Sequence, residues 1–220
     1  KKKENIFVVG NTVIDALLST VKENYRFADK EIEDIEEHKR VILVTTHRRE
    51  NLGTPMHHVY KALRRLVETV PHTEVVFPVH RNPLVREAVE EELEGVPGIH
   101  LVEPMEYEPF TNLMARSSIV LTDSGGIQEE APSLGKPVLV LRDTTERPEA
   151  IEAGTVKLVG TDENLIYETA YRLLTDKKAY DAMSEAVNPY GDGKASERIV
   201  ETLLYQSGLS DKKPSKFIAK

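Results

Sequence analysis

Short apolar runs recur along the middle of the chain, and segments with apolar residues at intervals of three and four lie between most of them. Continuously apolar runs are typical of strands in a buried parallel sheet, and the intervening periodicity is typical of helices. The pattern therefore predicts an α/β fold, a Rossmann-like doubly wound parallel sheet with right-handed crossovers. The predicted strands comprise residues 41–45, 74–79, 98–102, 118–121, 137–141 and 156–159.

Helices are predicted between the strands and after the last of them. They comprise residues 56–70, 83–93, 109–116, 126–134, 163–174, 177–183 and 195–205. Apart from Ala28, the acidic segment 28–38 has only two apolar residues, which are Ile32 and Ile35. A charged stretch with so little apolar surface predicts either a solvated linker or a weak surface helix.

The beginning of the chain shows a smaller pattern of the same kind. Residues 6–10 are mostly apolar and predict a short lead-in strand. Asn11 or Thr12 can cap a following helix, because their side chains can accept hydrogen bonds from the free N–H groups of its first turn. The apolar face of this helix is expected to include Val13, Ala16 and Leu17, with Val21 at its limit.

Two adjacent glycines follow the predicted strand 118–121, and a helical pattern begins there. Gly125 and Gly126 have no Cβ, so a bound group can approach their backbone closely, and the N–H groups of a helix start favour an anion. Glu130 lies one turn later and can accept hydroxyl hydrogen bonds. The stretch is thus suited to a nucleotide's phosphate and ribose. In the alternative, Ser124 caps the helix, the glycines serve only the turn, and Glu130 is a solvated side chain.

Basic residues follow three of the predicted strands. In such a sheet ligands bind beyond the carboxyl ends of the strands, so these cations are expected at one edge, where they could hold a diphosphate. They are His47, Arg48 and Arg49 after the first strand, His80 and Arg81 after the second, and Arg142 and Arg147 after the fifth. The alternative is that the arginines pair with neighbouring acids such as Glu50 or Glu146.

His47 and Phe110 are further candidates for contact with a ligand. An imidazole can titrate near neutral pH, which makes His47 a candidate acid or base, although a histidine at a strand end can also simply bond the backbone. Phe110 follows the third strand and can stack on a planar base. Alternatively, it is a core contact at the start of a helix.

Composition narrows the functional classes. The 220 residues contain no cysteine, which excludes disulfides and thiolate metal sites, and no apolar run is long enough for a membrane span. The formal charge of −8 argues against general nucleic-acid binding, and a cytoplasmic protein is expected. The chain begins with Lys1-Lys2-Lys3 rather than methionine, so we expect that the first residues of a longer protein are missing.

Five motifs occur together and in order along almost the whole chain. They are Thr45-Thr-His-Arg-Arg-Glu-Asn51, Pro78-Val-His-Arg-Asn-Pro83, Thr122-Asp-Ser-Gly-Gly-Ile-Gln-Glu-Glu-Ala131, Gly135-Lys-Pro-Val-Leu-Val-Leu-Arg-Asp-Thr-Thr-Glu-Arg-Pro-Glu149 and Asn188-Pro-Tyr-Gly-Asp-Gly-Lys-Ala195. The set resembles the non-hydrolysing UDP-N-acetylglucosamine 2-epimerase family.

The resemblance implies a two-domain GT-B architecture with the substrate in the cleft between the domains. The family's opening motif of the type Gly-Thr-Arg-Pro-Glu, and the acidic residues of its amino-terminal domain, have no counterpart here. The chain therefore resembles the carboxy-terminal, UDP-binding half. Its expected parts are an inter-domain crossover and linker at 1–40, the Rossmann-like UDP-binding domain at 41–187, and a terminal helix and tail at 188–220.

The resemblance also implies roles for individual residues. Ser124, Gly125 and Gly126 would hold the phosphates, Glu130 the ribose hydroxyls and Phe110 the uracil, while His47 and Arg48 would lie at the sugar-diphosphate side with His47 as the catalytic candidate. Arg48 and His80 match positions associated with an activator site for a second UDP-N-acetylglucosamine.

The implied reaction interconverts UDP-N-acetylglucosamine and UDP-N-acetylmannosamine. UDP is eliminated to leave a glycal unsaturated at C1–C2 and is then added back, with the opposite face of C2 protonated. No metal or cofactor is implied, and the full-length protein is expected to be a homodimer. The chain alone is expected to bind UDP without turnover. Two alternatives are a hydrolysing epimerase that releases N-acetylmannosamine and UDP, and a stand-alone UDP-binding module.

Overall fold

The computed structural model describes residues 5–219, so Lys1–Lys3, on which the expected incomplete start rests, lie outside the described residues. Six strands form one parallel sheet, and each predicted strand is found with its ends shifted by at most one residue. They are β1 (Arg40–Thr45), β2 (Thr73–Pro78), β3 (Ile99–Val102), β4 (Ile119–Thr122), β5 (Val138–Val140) and β6 (Val156–Leu158).

The strand order is β3-β2-β1-β4-β5-β6. The chain moves outward from β1 to β3, returns to the centre, and then moves outward the other way from β4 to β6. The direction reverses between β1 and β4, which pair with Ile42 opposite Ile119 and Thr45 opposite Thr122. In doubly wound sheets the crevice at such a reversal is the usual ligand position, because the loops after the two central strands diverge there.

Ten α-helices flank the sheet in the described part of the chain. They are α1 (Thr12–Thr20), α2 (Lys30–Glu33), α3 (Thr54–Thr69), α4 (Pro83–Leu93), α5 (Tyr107–Arg116), α6 (Ile127–Glu130), α7 (Pro148–Glu152), α8 (Glu163–Thr175), α9 (Lys177–Ser184) and α10 (Ala195–Gln206). Short 3-10 turns lie at Arg49–Asn51 and Ala131–Leu134. None of the helices within residues 5–219 has the length and apolar character needed to cross a bilayer.

The core has two layers, one on each face of the sheet. Alternate residues of a strand point to opposite faces, so Ile42 and Val44 of β1 pack against α3, α4 and α8, while Val41 and Leu43 belong to the other layer. That second layer includes apolar residues from α2, α5 and α7. Burial on both faces explains why the strands are continuously apolar.

The acidic segment 28–38 forms the short helix α2, as one of the two interpretations allowed. Asp29 caps it by accepting a hydrogen bond from the N–H of Glu31. Ile32 is fully buried and Ile35 nearly so, and both join the second core layer. The two apolar residues therefore anchor the segment to the sheet, although its charges stay in solvent.

Three expectations about local structure were wrong. Residues 6–10 form no strand, because no neighbouring strand pairs with them and Val8 only accepts one hydrogen bond, from the N–H of Phe217. The predicted helix 126–134 is α-helical only to Glu130, where Pro132 removes a donor and the chain tightens into a 3-10 turn. In α1 the buried residues are Ile14 and Leu17, and Ala16 is exposed.

The two ends of the described chain pack together beside the sheet. Asn11 caps α1 as predicted, by accepting a hydrogen bond from the N–H of Val13. The carboxylate of Asp15 in α1 accepts hydrogen bonds from the N–H groups of Ala195 and Ser196, which begin α10. An acid at this point satisfies free donors and complements the helix dipole. The predicted domain limits at residues 40 and 187 stay a prediction.

Replacing Ile32 by alanine tests whether α2 is docked. The change should lower the free energy of unfolding by about 2–5 kcal/mol, since it removes buried methyl groups and leaves a cavity. Ile6→Ala is the matched control, because Ile6 is 54% exposed, and it should change stability by no more than about 0.5 kcal/mol. Urea unfolding measures both; equal effects would show that the segment is not anchored through Ile32.

Candidate functional site

The reversal of strand order brings the ends of β1 and β4 side by side. The hydroxyl oxygens of Thr45 and Thr122, the last residues of these strands, lie 2.6 Å apart and share a hydrogen bond. Beyond this bond, one loop carries His47 and Arg48 and the other carries the glycine turn. His47, Arg48 and the glycine turn therefore lie at one edge of the sheet, as predicted.

Asp123, the first residue after β4, connects the two loops. Its side chain is completely buried, and its Oδ2 accepts hydrogen bonds of 2.9 Å from the backbone N–H groups of both His47 and Arg48. Its Oδ1 lies 2.8 Å from Nδ1 of His47. Burial alone would raise the pKa of Asp123, but the hydrogen bonds from the His47 ring and from the two N–H groups outweigh it and lower this pKa.

The same contact sets the state of His47. The hydrogen bond to Asp123 raises the pKa of His47 against the opposing effect of partial burial. Because Nδ1 faces the carboxylate, Nε2 is the nitrogen available to a ligand, and the raised pKa favours the form in which Nε2 is a donor. The side chain is 41% exposed, so a ligand can reach it.

The glycine turn differs from the alternative interpretation in the role of Ser124. Ser124 does not cap the helix, since Gly126 is the N-cap residue of α6 and no side chain caps it, and the backbone oxygen of Ser124 accepts a hydrogen bond from Gln128. Gly125 does permit a close approach. The group that approaches it is the carboxylate of Glu146, whose Oε1 lies 2.6 Å from the position that a Cβ on Gly125 would take.

The arginines at this edge are paired with acids, as the alternative interpretation allowed. Arg142 donates to Glu50 over 2.9 Å and also to Glu146. Arg48 lies 3.3 Å from Glu146, and its Nε is buried without an acceptor in residues 5–219. Arg147 donates to Glu129. A ligand that uses these cations must therefore exchange with the carboxylates they already contact.

Glu130 is neither a solvated side chain nor an ordinary carboxylate. It is half-buried at the end of α6, and burial, followed by repulsion from Glu129, raises the pKa of Glu130 to about 7. A carboxyl group with this pKa changes charge in the physiological range and would gain from hydroxyl donors that stabilise its ionised form.

Phe110 lies in the first turn of α5 and is a core contact, as the alternative interpretation allowed, whereas its stacking on a base stays a prediction. It is partly buried against the second core layer, and it also lines a cavity of about 160 Å³ together with His47, His80 and Met105. The ring centres of His47 and His80 are 6.1 Å apart, and the two ring planes are inclined to each other by 30°. A cavity lined by rings at the end of the sheet is suited to a planar or cyclic group.

Asp123 and Glu129 were not predicted as site residues. Asp123 lies within the Thr122-Asp-Ser-Gly-Gly motif, and an acid directly after a buried strand in an edge rich in cations was the available signal. Glu129 is buried and accepts from Arg147 and from Asn11, which lies far away in sequence. Nothing in the sequence pattern marks that contact.

The His47–Asp123 pair makes a prediction about pH. Asp123→Asn should lower the pKa of His47, while the control Asp143→Asn, an exposed acid after β5, should leave it unchanged. Because folding raises the pKa of His47, the pair's stabilisation is full below the unfolded value of 6.5 and is lost as pH rises through the folded value. NMR titration of the imidazole measures this pKa; equal values in the two variants would contradict the pairing.

Comparison with known proteins shows the family of the chain. The sequence model of the family described as UDP-N-acetylglucosamine 2-epimerase matches residues 1–204. The UDP-N-acetylglucosamine 2-epimerase of Bacillus subtilis (strain 168) is 55% identical over 220 residues, which are 100% of this chain and 57% of that protein. The chain therefore spans little more than half the length of this relative.

Solved structures give the same result for the fold. The S. aureus MnaA structure with UDP matches with a TM-score of 0.91 and 49% identity, over 99% of this chain and 59% of that chain. The Neisseria meningitidis UDP-GlcNAc 2-epimerase bound to UDP-GlcNAc matches with a TM-score of 0.83 and 48% identity, over 93% of this chain and 56% of that chain. The predicted α/β fold, of the Rossmann-like kind found in the second domain of GT-B proteins, is confirmed. This chain belongs to the UDP-N-acetylglucosamine 2-epimerase family.

Proposed function

We propose that this chain is the UDP-binding part of a protein that interconverts UDP-N-acetylglucosamine and UDP-N-acetylmannosamine. The observation that carries the proposal is the His47–Asp123 pair, which lies beside the Gly125–Gly126 turn at the reversal of strand order. Membership of the family and the two related structures with bound UDP or UDP-GlcNAc support it.

The proposed position of UDP follows from the chemistry of each part. Ser124, Gly125 and Gly126 hold the phosphates, because a turn without a Cβ admits them closely. Glu130 accepts the ribose hydroxyl groups, which favours its ionised form. Phe110 stacks on uracil at the mouth of the cavity that it lines.

His47 and Arg48 lie on the sugar-diphosphate side of this arrangement. In the elimination, a carboxylate of the amino-terminal domain accepts the proton from C2, the C1–C2 double bond forms, the C1–O bond breaks and its electrons leave with UDP. Nε2 of His47 can donate to the departing phosphate oxygen, and Asp123 stabilises the positive charge on the ring. Re-addition reverses these changes, with a proton delivered to the opposite face of C2. UDP must remain bound between the two steps, so tight anchoring of the diphosphate is part of the mechanism.

Arg48 and His80 are also proposed to contact an activating second molecule of UDP-N-acetylglucosamine. Their loops follow the neighbouring strands β1 and β2, and His80 lies beside His47. An activator there would adjoin the reacting sugar. In the whole protein we expect a homodimer and an amino-terminal domain that closes the cleft.

UDP should bind more tightly than uridine, because the glycine turn and the arginines contact only the diphosphate. Glu130→Gln should weaken both ligands by a similar amount, about 1.5–3 kcal/mol, since the ribose is common to them and a charged acceptor is lost. Calorimetry at pH 8, above the pKa of Glu130 of about 7, measures these affinities.

Glu90→Gln is the control for this experiment, because Glu90 is an exposed acid on α4. It should leave both affinities unchanged. Equal affinities for UDP and uridine would contradict the proposed phosphate site. An effect of Glu130→Gln on UDP alone would contradict the proposed contact with the ribose.

The chain alone should not epimerise UDP-N-acetylglucosamine. Moving a proton from one face of C2 to the other needs groups on both sides of that carbon, and His47 supplies a group on one side only. An open cleft would also admit water and release the glycal. Proton exchange at C2 in deuterated water, followed by NMR, is the measurement; exchange catalysed by this chain would overturn the proposal, whereas co-expression with an amino-terminal half from a relative should restore turnover.

A further inference from the structure

The carboxylate of Glu146 lies where the sequence predicts a ligand's phosphate. Its Oε1 covers the open side of Gly125, at 2.6 Å from the position of a Cβ there, and its Cδ is 3.4 Å from the same point. Gly125 is buried, and within residues 5–219 only atoms of Glu146 are found near this position. An anionic group from the chain's own segment after β5 thus fills the space above the turn.

Two guanidinium groups hold this carboxylate. Arg48 lies 3.3 Å from Oε1 and Arg142 donates to Oε2, so each oxygen has one cationic partner. The backbone N–H of Glu146, and then Arg142, lower the pKa of Glu146, which keeps the carboxylate charged near neutral pH. The geometry is that of an anion site between two arginines and a glycine turn, filled from within.

We infer that Glu146 is an internal competitor for the diphosphate, and that a nucleoside diphosphate binds by displacing its carboxylate from Gly125, Arg48 and Arg142. This inference rests on the proposed function, because it takes the ligand to be UDP. It adds a specificity-determining residue to that site. A ligand must bring enough negative charge to replace the carboxylate on both arginines, which a diphosphate does better than a monophosphate.

The energies allow this exchange. The side chain of Glu146 is 41% exposed and lies in an irregular segment between β5 and α7, so it can swing into solvent without disturbing the core. Exposed ion pairs are worth about 0–1 kcal/mol each. A phosphate offers more charge and more acceptor oxygens to the same guanidinium groups. The carboxylate therefore weakens the binding of every ligand that must displace it, without preventing that binding.

Glu146→Gln tests the inference, because it keeps the size of the side chain and removes its charge. Calorimetry should show that the dissociation constant for UDP falls about three- to tenfold, as expected when an ion pair worth about 1 kcal/mol no longer competes. UMP should gain by no more than UDP does, because displacing the carboxylate costs either ligand the same free energy, and uridine, which has no phosphate for the turn, should show no gain. The gain should shrink at high salt, since screening weakens exposed pairs.

Glu152→Gln is the matched control. Glu152 is an exposed acid on α7 in the same part of the chain, and it takes part in none of the ion pairs found within residues 5–219. Its removal changes the net charge equally and should leave both dissociation constants unchanged. Equal gains in the two variants would show a general charge effect and would overturn the inference.

Unchanged or weaker UDP binding by Glu146→Gln would also overturn it, and would show that the carboxylate positions Arg48 and Arg142 for the ligand. Inorganic pyrophosphate separates this inference from the proposed function. Failure of the wild-type chain to bind UDP would remove the proposed function, but tighter pyrophosphate binding by Glu146→Gln would still support the competition. Absence of pyrophosphate binding in both proteins would show that the turn is no anion site.

Discussion

The site depends on one buried carboxylate. Burying a charge is unfavourable unless polar partners replace the lost water. Asp123 has such partners from three residues: the backbone N–H and ring of His47, the backbone N–H of Arg48 and the side-chain amide of Asn51. All three belong to the loop after β1, whereas Asp123 follows β4. The interaction therefore fixes the relative position of the two loops on either side of the reversal in strand order. It also fixes which nitrogen of His47 faces the ligand.

The sequence places several arginines at the edge of the sheet beyond Asp123, but in the structure carboxylates balance their charges. Arg48, Arg142 and Arg147 contact Glu146, Glu50 and Glu129, in a chain whose formal charge is −8. Binding of an anion here is an exchange of partners rather than the filling of a free positive pocket. Such an exchange favours ligands that carry several charges and makes affinity sensitive to salt. Specificity can thus come from what the ligand must displace as well as from what it contacts.

The segment before the sheet is connected to the site as well. Asn11, the cap of α1, donates to Glu129, and the same carboxylate accepts from Arg147. Asn188 donates to the backbone oxygen of Glu129, so the segment before α10 reaches the same point. The residue before α1 and the segment before α10 therefore meet at α6, next to Glu130.

The sequence by itself determined the fold class, the positions of the strands to within a residue, and the edge at which Gly125, His47 and Arg142 gather. These features follow from local periodicity and from the rule that parallel strands bring their carboxyl ends to one side. The tertiary structure alone decided which charges meet. Asp123 and His47 are 76 residues apart, and the chain separates Glu129 from Asn11 by 118. Such contacts depend on strand order and on the course of loops, which hydrophobic periodicity does not encode. The same reason explains the missing strand at 6–10, because an apolar run becomes a strand only where a neighbour offers its backbone hydrogen bonds.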